Sequence, residues 1–265
     1  MADVIDYQII GDDLQAVIIT LDSGERVIAE AGAMMFMQDG IRMETTLDPN
    51  AQGGGMVCKL LGGAKRALSG DSFFMTTFTN EARVPRQVAF AAVTPGKVHP
   101  ADLKDWGGRI IAQRDAFLCA ARGINVTIAF SRRLGAGFFG GEGFILQRIE
   151  GDGLVFLHAS GTLYEMNLAG GETVRVDTGC LVAFDERVSY DIEMVPGIKT
   201  ALFGGEGLFF ATLTGPGKVI LQSMPFSRLA DRIVASAPRL GGQQKGEGGL
   251  GSALGLMGGL LTNND

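Results

Sequence analysis

One run decides the fold of this chain: Gly205-Glu206-Gly207-Leu208-Phe209-Phe210. It repeats the run Gly141-Glu142-Gly143-Phe144-Ile145-Leu146, which lies 64 positions earlier. Both runs resemble Gly70-Asp71-Ser72-Phe73-Phe74-Met75. Because self-similarity within one chain is typical of repeated structural units, the sequence predicts three units of the same kind.

The register of the repeat follows from glycines that precede equivalent apolar runs, at Gly24, Gly107 and Gly171. From Gly107 onward, the second and third units align without a gap. The first unit carries 12 extra residues between Met43 and Gly70. The predicted units cover about residues 14–85, 86–152 and 153–216, within a β body of residues 1–224.

Within each unit, apolar residues recur at every second position. In residues 124–130 the apolar side chains alternate with Asn125 and Thr127, and residues 188–194 show the same alternation. A period of two is typical of half-buried strands. The chain also has 40 glycines, which favour tight turns between short strands. We therefore predict an all-β fold, a sandwich or a barrel.

Composition narrows the classes of function. The net charge is −6 and the lysines and arginines are dispersed, so we expect no nucleic-acid partner. The N-terminus lacks the charge and the apolar run of a signal peptide, and no apolar run is long enough to span a bilayer. We expect a cytoplasmic protein whose cysteines, Cys58, Cys119 and Cys180, are free thiols.

No pattern of catalytic residues emerges. His158 lies in an apolar strand-like run, which favours a structural role, and His99 precedes Pro100 in a predicted turn. Residues 135–140 match the spacing of a dinucleotide-binding loop, but a strand-like run follows where a helix is needed. We therefore expect no enzymatic activity, no cofactor and no metal centre.

Three carboxylates, Asp71, Glu142 and Glu206, occupy equivalent repeat positions. If the units surround a pseudo-threefold axis, these side chains form a set that could bind a cation or a small polar ligand. The alternative is that each carboxylate stabilises its own glycine-rich turn or pairs with a nearby basic residue. Both interpretations are open.

The insertion in the first unit lies within residues 51–68 and has apolar residues at helical spacing. Lys59, Lys65 and Arg66 fall mostly off the apolar face, a pattern typical of helices that contact a membrane surface or a partner. A flap that covers one open end of the barrel is the alternative.

The C-terminal region differs from the repeat. Residues 225–238 predict a helix with a buried stripe formed by Phe226, Ala230, Ile233 and Ala237. Residues 239–265 are rich in glycine, which favours a flexible tail. Small residues at intervals of four beside apolar ones instead favour contact with a partner or a membrane. Those apolar residues are Leu250, Leu254, Met257 and Leu261.

Several runs together resemble the altered-inheritance-of-mitochondria protein family, over about residues 5–225. The runs that carry the resemblance are Ala29-Glu30-Ala31-Gly32-Ala33-Met34-Met35, Gly140-Gly141-Glu142-Gly143-Phe144, Val176-Asp177-Thr178-Gly179-Cys180-Leu181-Val182-Ala183-Phe184, Gly204-Gly205-Glu206-Gly207-Leu208-Phe209 and Gly215-Pro216-Gly217. The resemblance implies three units with a fold similar to the Trp RNA-binding attenuation protein (TRAP), a short double-stranded β-helix. It also implies mitochondrial relatives associated with the inner membrane, and it supplies no catalytic or ligand residues.

These observations favour a non-enzymatic scaffold or interaction protein that self-associates, with contact to a membrane surface as a close variant. The alternative is a small-ligand or cation-binding β-barrel that uses Asp71, Glu142 and Glu206.

Overall fold

The computed structural model describes residues 2–30, 32–46, 75–132, 144–194 and 209–236. Almost all of the regular structure in these residues is antiparallel strand, followed by one C-terminal helix. The predicted all-β fold with a C-terminal helix is confirmed.

The strands are named in chain order and have the following bounds: β1 Asp6–Ile10, β2 Ala16–Leu21, β3 Arg26–Glu30, β4 Met34–Met37, β5 Ile41–Thr46, β6 Met75–Asn80, β7 Arg86–Ala91, β8 Gly96–Asp102, β9 Arg109–Gln113, β10 Phe117–Ala121, β11 Asn125–Arg132, β12 Phe144–Glu150, β13 Leu154–Ser160, β14 Leu163–Leu168, β15 Thr173–Asp177, β16 Leu181–Asp185, β17 Ser189–Met194, β18 Phe209–Thr214 and β19 Gly217–Gln222. Short 3₁₀ helices at Leu103–Trp106, Arg114–Ala116 and Thr178–Cys180 connect some of them. Helix α1 covers Phe226–Ser236.

The strands form four sheets whose strand orders are related. Two six-stranded sheets have the orders β5-β6-β3-β10-β13-β8 and β11-β12-β9-β16-β19-β14. Each strand number in the second sheet is six higher than in the first. The other two sheets are β1-β2-β7-β4 and β15-β18-β17. The pairing pattern therefore recurs every six strands, whereas the pseudo-threefold arrangement of the units in space stays a prediction.

The centre of each six-stranded sheet is a pairing between strands that are distant in the chain. β3 pairs with β10, with Ala29 opposite Cys119, and β9 pairs with β16, with Ala112 opposite Ala183. These two residue pairs are equivalent in the repeat register. The strands β4, β10 and β16 also carry a register shift at the same position. The equivalence thus holds for individual residues.

The core follows from the alternation of apolar residues along the strands. One cluster contains Phe78, Phe90 and Phe156, and the rings of Phe78 and Phe90 pack edge to face with centroids 5.2 Å apart. A second cluster contains Phe144 and Phe184. All five side chains are almost fully buried. Full burial of one such side chain contributes about 1.5–3 kcal/mol to stability.

The glycines that set the register also set the turns. Gly24, Gly107 and Gly171 have φ angles of 85°, 67° and 81°. A Cβ atom at any of them would meet no atom within 4 Å. Glycine is therefore favoured by its left-handed backbone and not by lack of space. The general expectation that glycines form tight turns between strands therefore holds at these three positions.

Two expectations from the sequence are wrong. Phe226 and Ile233 of α1 were predicted to be buried, but they are 57% and 59% exposed. Helical periodicity shows which side chains share a face, but not whether a surface packs against that face. His99 lies in strand β8 and not in a turn. The following Pro100 is tolerated because β8 is an edge strand, where a missing N–H leaves no ladder bond unmade.

The insertion of residues 51–68 and the tail of residues 239–265 lie outside the described residues, as does Ala237. Their predicted helix, flap and tail stay predictions. In the part of the chain that the structure describes, every helix is too short or too polar to cross a bilayer.

Candidate interaction surface

Strand β4 presents a continuous apolar edge to solvent. Its four residues, Met34–Met37, are between 36% and 49% exposed. We call these four residues the β4 edge. Scattered exposed apolar residues are normal on a protein surface, but four in succession on one strand are not.

The equivalent strands in the other two units are buried. All five residues of β10 and all five of β16 are buried. Each of those strands has a neighbour on both sides, whereas β4 pairs only with β7 among the described residues. The missing neighbour therefore explains the exposure, since the residue types of all three strands are mainly apolar.

A second open edge lies on β15. Its equivalents, β3 and β9, are central strands, but β15 ends a three-stranded sheet in the described part of the chain. Val176 is buried in the second apolar cluster, Val174 is half-buried and Arg175 is exposed. The ion pair between Asp177 and Arg228 lies at the end of this strand.

The β4 edge lacks the features that usually protect an edge strand. Lysine, proline and inward-pointing charges are the common devices that prevent edge-to-edge association. None of them occurs in Met34–Met37, and the next residue is the neutral Gln38. An unprotected apolar edge is expected either to bind a partner or to promote aggregation.

The residues predicted as sites from the sequence all lie outside the described residues. This holds for the carboxylates Asp71, Glu142 and Glu206, for the basic residues Lys59, Lys65 and Arg66, and for the tail residues Leu250, Leu254, Met257 and Leu261. Their roles stay predictions. Within the described ranges, no three acidic, histidine or cysteine side chains come together as metal ligands.

A small cleft of about 290 Å³ lies where the 3₁₀ helix at Leu103–Trp106 approaches β14, β16 and β19. Trp106 lines it and is almost fully buried, and the ammonium of Lys218 lies 4.6 Å from the centroid of the Trp106 ring. This cation–π contact is worth about 0.5–2 kcal/mol. Lys218 is thereby held at the cleft.

The charged groups that line the cleft are the carboxylates Asp105 and Asp185 and the cationic side chains Arg187 and Lys218. Two hydrogen bonds join Asp185 to the guanidinium of Arg187, with distances of 2.6 and 2.9 Å. Because Arg187 donates these bonds, the pKa of Asp185 lies below its usual value. Lys218 has no ion pair within the described residues. The cleft therefore offers an ammonium group to a small anion.

Burial shifts the pKa values of His158, His99 and Cys119 in the direction that favours their neutral forms. Burial lowers the pKa of His158 and of His99, although the carboxylate of Glu165, 3.4 Å from Nδ1 of His99, opposes that change. Burial also raises the pKa of the Cys119 thiol. A protonated thiol is a poor nucleophile, so Cys119 is suited to packing.

Sequence reasoning missed the β4 edge and the cleft. In the sequence, Met34 and Met35 attracted notice only as part of the run that resembles the family. The apolar character of β4 matches that of β10 and β16, so sequence comparison of the repeats shows no difference between a covered and an open strand. Trp106 is the sole tryptophan of the chain, which is the one sequence feature that singles out the cleft.

These features define an all-β protein of antiparallel sheets in which, among the described residues, β4 and β15 are edge strands although their equivalents are central strands. The chain belongs to the AIM24 family, described as mitochondrial biogenesis AIM24, whose profile matches residues 7–224.

Related proteins are known from Streptococcus pyogenes. The chain is 27% identical over 222 residues to an uncharacterized protein of serotype M6, which covers 83% of this chain and 86% of that protein. A crystal structure of a protein from Streptococcus pyogenes is similar, with a TM-score of 0.68 and 22% identity. That match covers 88% of this chain and all of the other. At this identity the likeness supports the fold alone.

Proposed function

We propose that this protein is a non-enzymatic interaction protein, a self-associating scaffold that uses the β4 edge as its docking strand. One observation carries the proposal: β4 is exposed while its two equivalents in the same chain are buried. An open strand binds a partner by adding a strand to the sheet. Its main-chain N–H and C=O groups then supply affinity, and its side chains supply specificity.

The proposal is tested by the mass of the full chain in solution as a function of concentration, measured by sedimentation equilibrium. We expect assemblies larger than the 27.9 kDa chain. Met35→Lys should shift the equilibrium to the monomer because it places a charge on the β4 edge. Val93→Lys is the matched control, since Val93 is 92% exposed and lies outside β4.

A wild-type chain that stays monomeric at every concentration would contradict self-association. Equal effects of Met35→Lys and Val93→Lys would contradict the role of the β4 edge, because the added charge would then act without regard to its place.

Contact with a membrane surface is a close variant of this function for a protein that we propose to be cytoplasmic. It rests on the sequence of the insertion, with Lys59, Lys65 and Arg66, and on the glycine-rich tail. The variant predicts that the protein floats with anionic liposomes at low salt. Deleting residues 241–265 or neutralising the three basic residues should abolish flotation, and a wild type that never floats would refute it.

A second candidate function is the binding of a small phosphate or carboxylate ligand at the cleft. Lys218 supports it, because its ammonium is fixed over Trp106 and lacks an ion pair among the described residues. A ligand at a hundred times its Kd stabilises a protein by about 2.7 kcal/mol. A thermal-shift screen with phosphate and small carboxylates should find such a ligand.

Lys218→Gln should remove that shift and Lys104→Gln, at an exposed lysine of the same region, should keep it. A screen without any shift, or a shift that survives Lys218→Gln, would count against this second function.

A further inference from the structure

We propose that the β4 edge of one copy pairs with β15 of a second copy, head to tail and antiparallel. The proposal rests on the proposed self-association and names the partner strand and its register. It follows from the strand orders of the four sheets, from the residue register of the two internal junctions, and from the side chains on the two open edges.

Each six-stranded sheet consists of two halves from neighbouring units. In the first sheet, the half β5-β6-β3 meets the half β10-β13-β8, and the junction is the pairing of β3 with β10. In the second sheet, the equivalent halves meet at β9 and β16. The chain thus makes the same junction twice.

The two smaller sheets are the two halves that remain. The sheet β17-β18-β15 is equivalent to β5-β6-β3, and β4-β7-β2 is equivalent to β10-β13-β8. Their open edges, β15 and β4, occupy the positions that meet at the other two junctions. Neither pairs with the other within the described chain. One copy therefore carries both halves of a third junction.

The two existing junctions predict the register of the third. Cys119 lies opposite Ala29 and Ala183 opposite Ala112, and the equivalent residues in the open strands are Phe36 and Val176. The same shift places Met37 opposite Arg175, and Gln38 opposite Val174. In its pairing with β7, β4 already has the register shift that β10 and β16 show in their pairings with β13 and β19, so its backbone matches that of the two strands that form the internal junctions.

The side chains at this junction suit a contact between copies. Phe36 would meet Val176 on an apolar face. On the other face, Arg175 occupies the position of Ile28 and Ile111, which are buried at the internal junctions. The third junction therefore has one apolar face and one face that keeps a charge in solvent, with the stem of Arg175 along Met37.

Head-to-tail pairing uses both open edges, whereas pairing of β4 with another β4 would leave β15 open. Copies joined head to tail close a ring in which every β4 and every β15 has a neighbour on each side. A heterologous contact that closes gives a finite assembly and avoids an open fibre. We therefore expect one closed assembly whose mass is a whole multiple of the 27.9 kDa chain.

Charge placement at Met37 tests the register. Met37→Lys puts a cation opposite Arg175, whereas Met37→Glu puts an anion there and is the matched control. Because opposite and like charges directly across two strands differ in energy, the Kd of assembly of the lysine variant should exceed that of the glutamate variant by about tenfold. Arg175→Glu added to Met37→Lys should restore the assembly.

Mixing two single variants tests whether the partner is a second copy. A Met37→Lys chain and an Arg175→Glu chain placed next to each other form Lys–Glu junctions and wild-type junctions. The mixture should therefore assemble more tightly than Met37→Lys alone. If the double variant is restored but the mixture is not, β4 and β15 pair within one chain and the proposal is overturned.

The outcomes separate this proposal from the one on which it rests. If Met35→Lys dissociates the assembly but Met37→Lys and Met37→Glu behave alike, the β4 edge binds a partner and β15 is not that partner. If Met35→Lys has no effect on the mass, both proposals fail.

Discussion

Truncation of two equivalent side chains gives the sharpest test of the open edge. Leu118 of β10 is 2% exposed and Met35 of β4 is 49% exposed, although both occupy the shifted position of their strands. Leu118→Ala leaves a cavity and should reduce the free energy of unfolding by about 2–5 kcal/mol. Full burial of a methionine contributes about 1.5–3 kcal/mol, so Met35→Ala in the monomer should reduce it by only about 1 kcal/mol.

The assay is urea unfolding at low and at high protein concentration, with the free energy taken by linear extrapolation. At low concentration the two variants should differ by the amounts above. At high concentration the effect of Met35→Ala should grow, because assembly covers the β4 edge and links folding to association. The effect of Leu118→Ala should stay the same, since β10 is covered within the chain.

A Met35→Ala variant that loses as much stability as Leu118→Ala at low concentration would refute this reasoning. It would show that the β4 edge is covered by the chain itself. A loss that does not change with concentration would show that no second copy covers it.

Three further predictions follow, one on an acidic side chain and two on buried positions. Burial, with a smaller contribution from a neighbouring carboxylate, raises the pKa of Glu30 to about 7, so its ionisation destabilises the fold as pH rises from about 4.5 to 7. Glu30→Gln introduces the residue found at the equivalent position, Gln113. It should raise Tm modestly at pH 8, because Glu30 keeps an exposed face, and leave Tm unchanged near pH 4. A larger increase in Tm at pH 4 than at pH 8 would contradict this prediction. Gly96→Ala should prevent folding at 37 °C, as read by circular dichroism, because its Cβ would lie 2.0 Å from the carbonyl oxygen of Ala159; a soluble, folded variant would contradict the close approach. Asn80→Ala should reduce the free energy of unfolding by about 2–4 kcal/mol in urea, because the buried amide makes three hydrogen bonds to backbone groups; a loss below about 0.5 kcal/mol would mean that water replaces them.

The sequence predicted the strands and turns well where the pattern acts over a few residues. The alternation in residues 124–130 and 188–194 corresponds to β11 and β17, and the equivalent glycines occupy left-handed turns. The helix was predicted over residues 225–238 and is observed over Phe226–Ser236, although its exposed Phe226 shows that a helical pattern does not identify a packing partner.

The candidate sites were predicted less well. The repeat drew attention to Asp71, Glu142 and Glu206, which lie outside the described residues, while the β4 edge has the same apolar character as its covered equivalents. Apolar residues occur in all three equivalent strands, whether or not a neighbouring strand covers them. Sequence comparison therefore cannot show which copy of a repeated strand lacks a neighbour.

Local chemistry alone therefore determined three things about this protein: the strands, the turns and the register of the repeat. Side-chain alternation and glycine φ preferences act over a few residues, so these features can be read directly from the chain. Only the tertiary structure decided that β3 pairs with β10, that β9 pairs with β16, and that β4 and β15 stay open in the described chain. Such pairings join strands far apart in sequence, and their existence depends on how many units one chain supplies. The ends of a repeat array have no neighbour of their own, and for that physical reason the open edges lie in its first and last units.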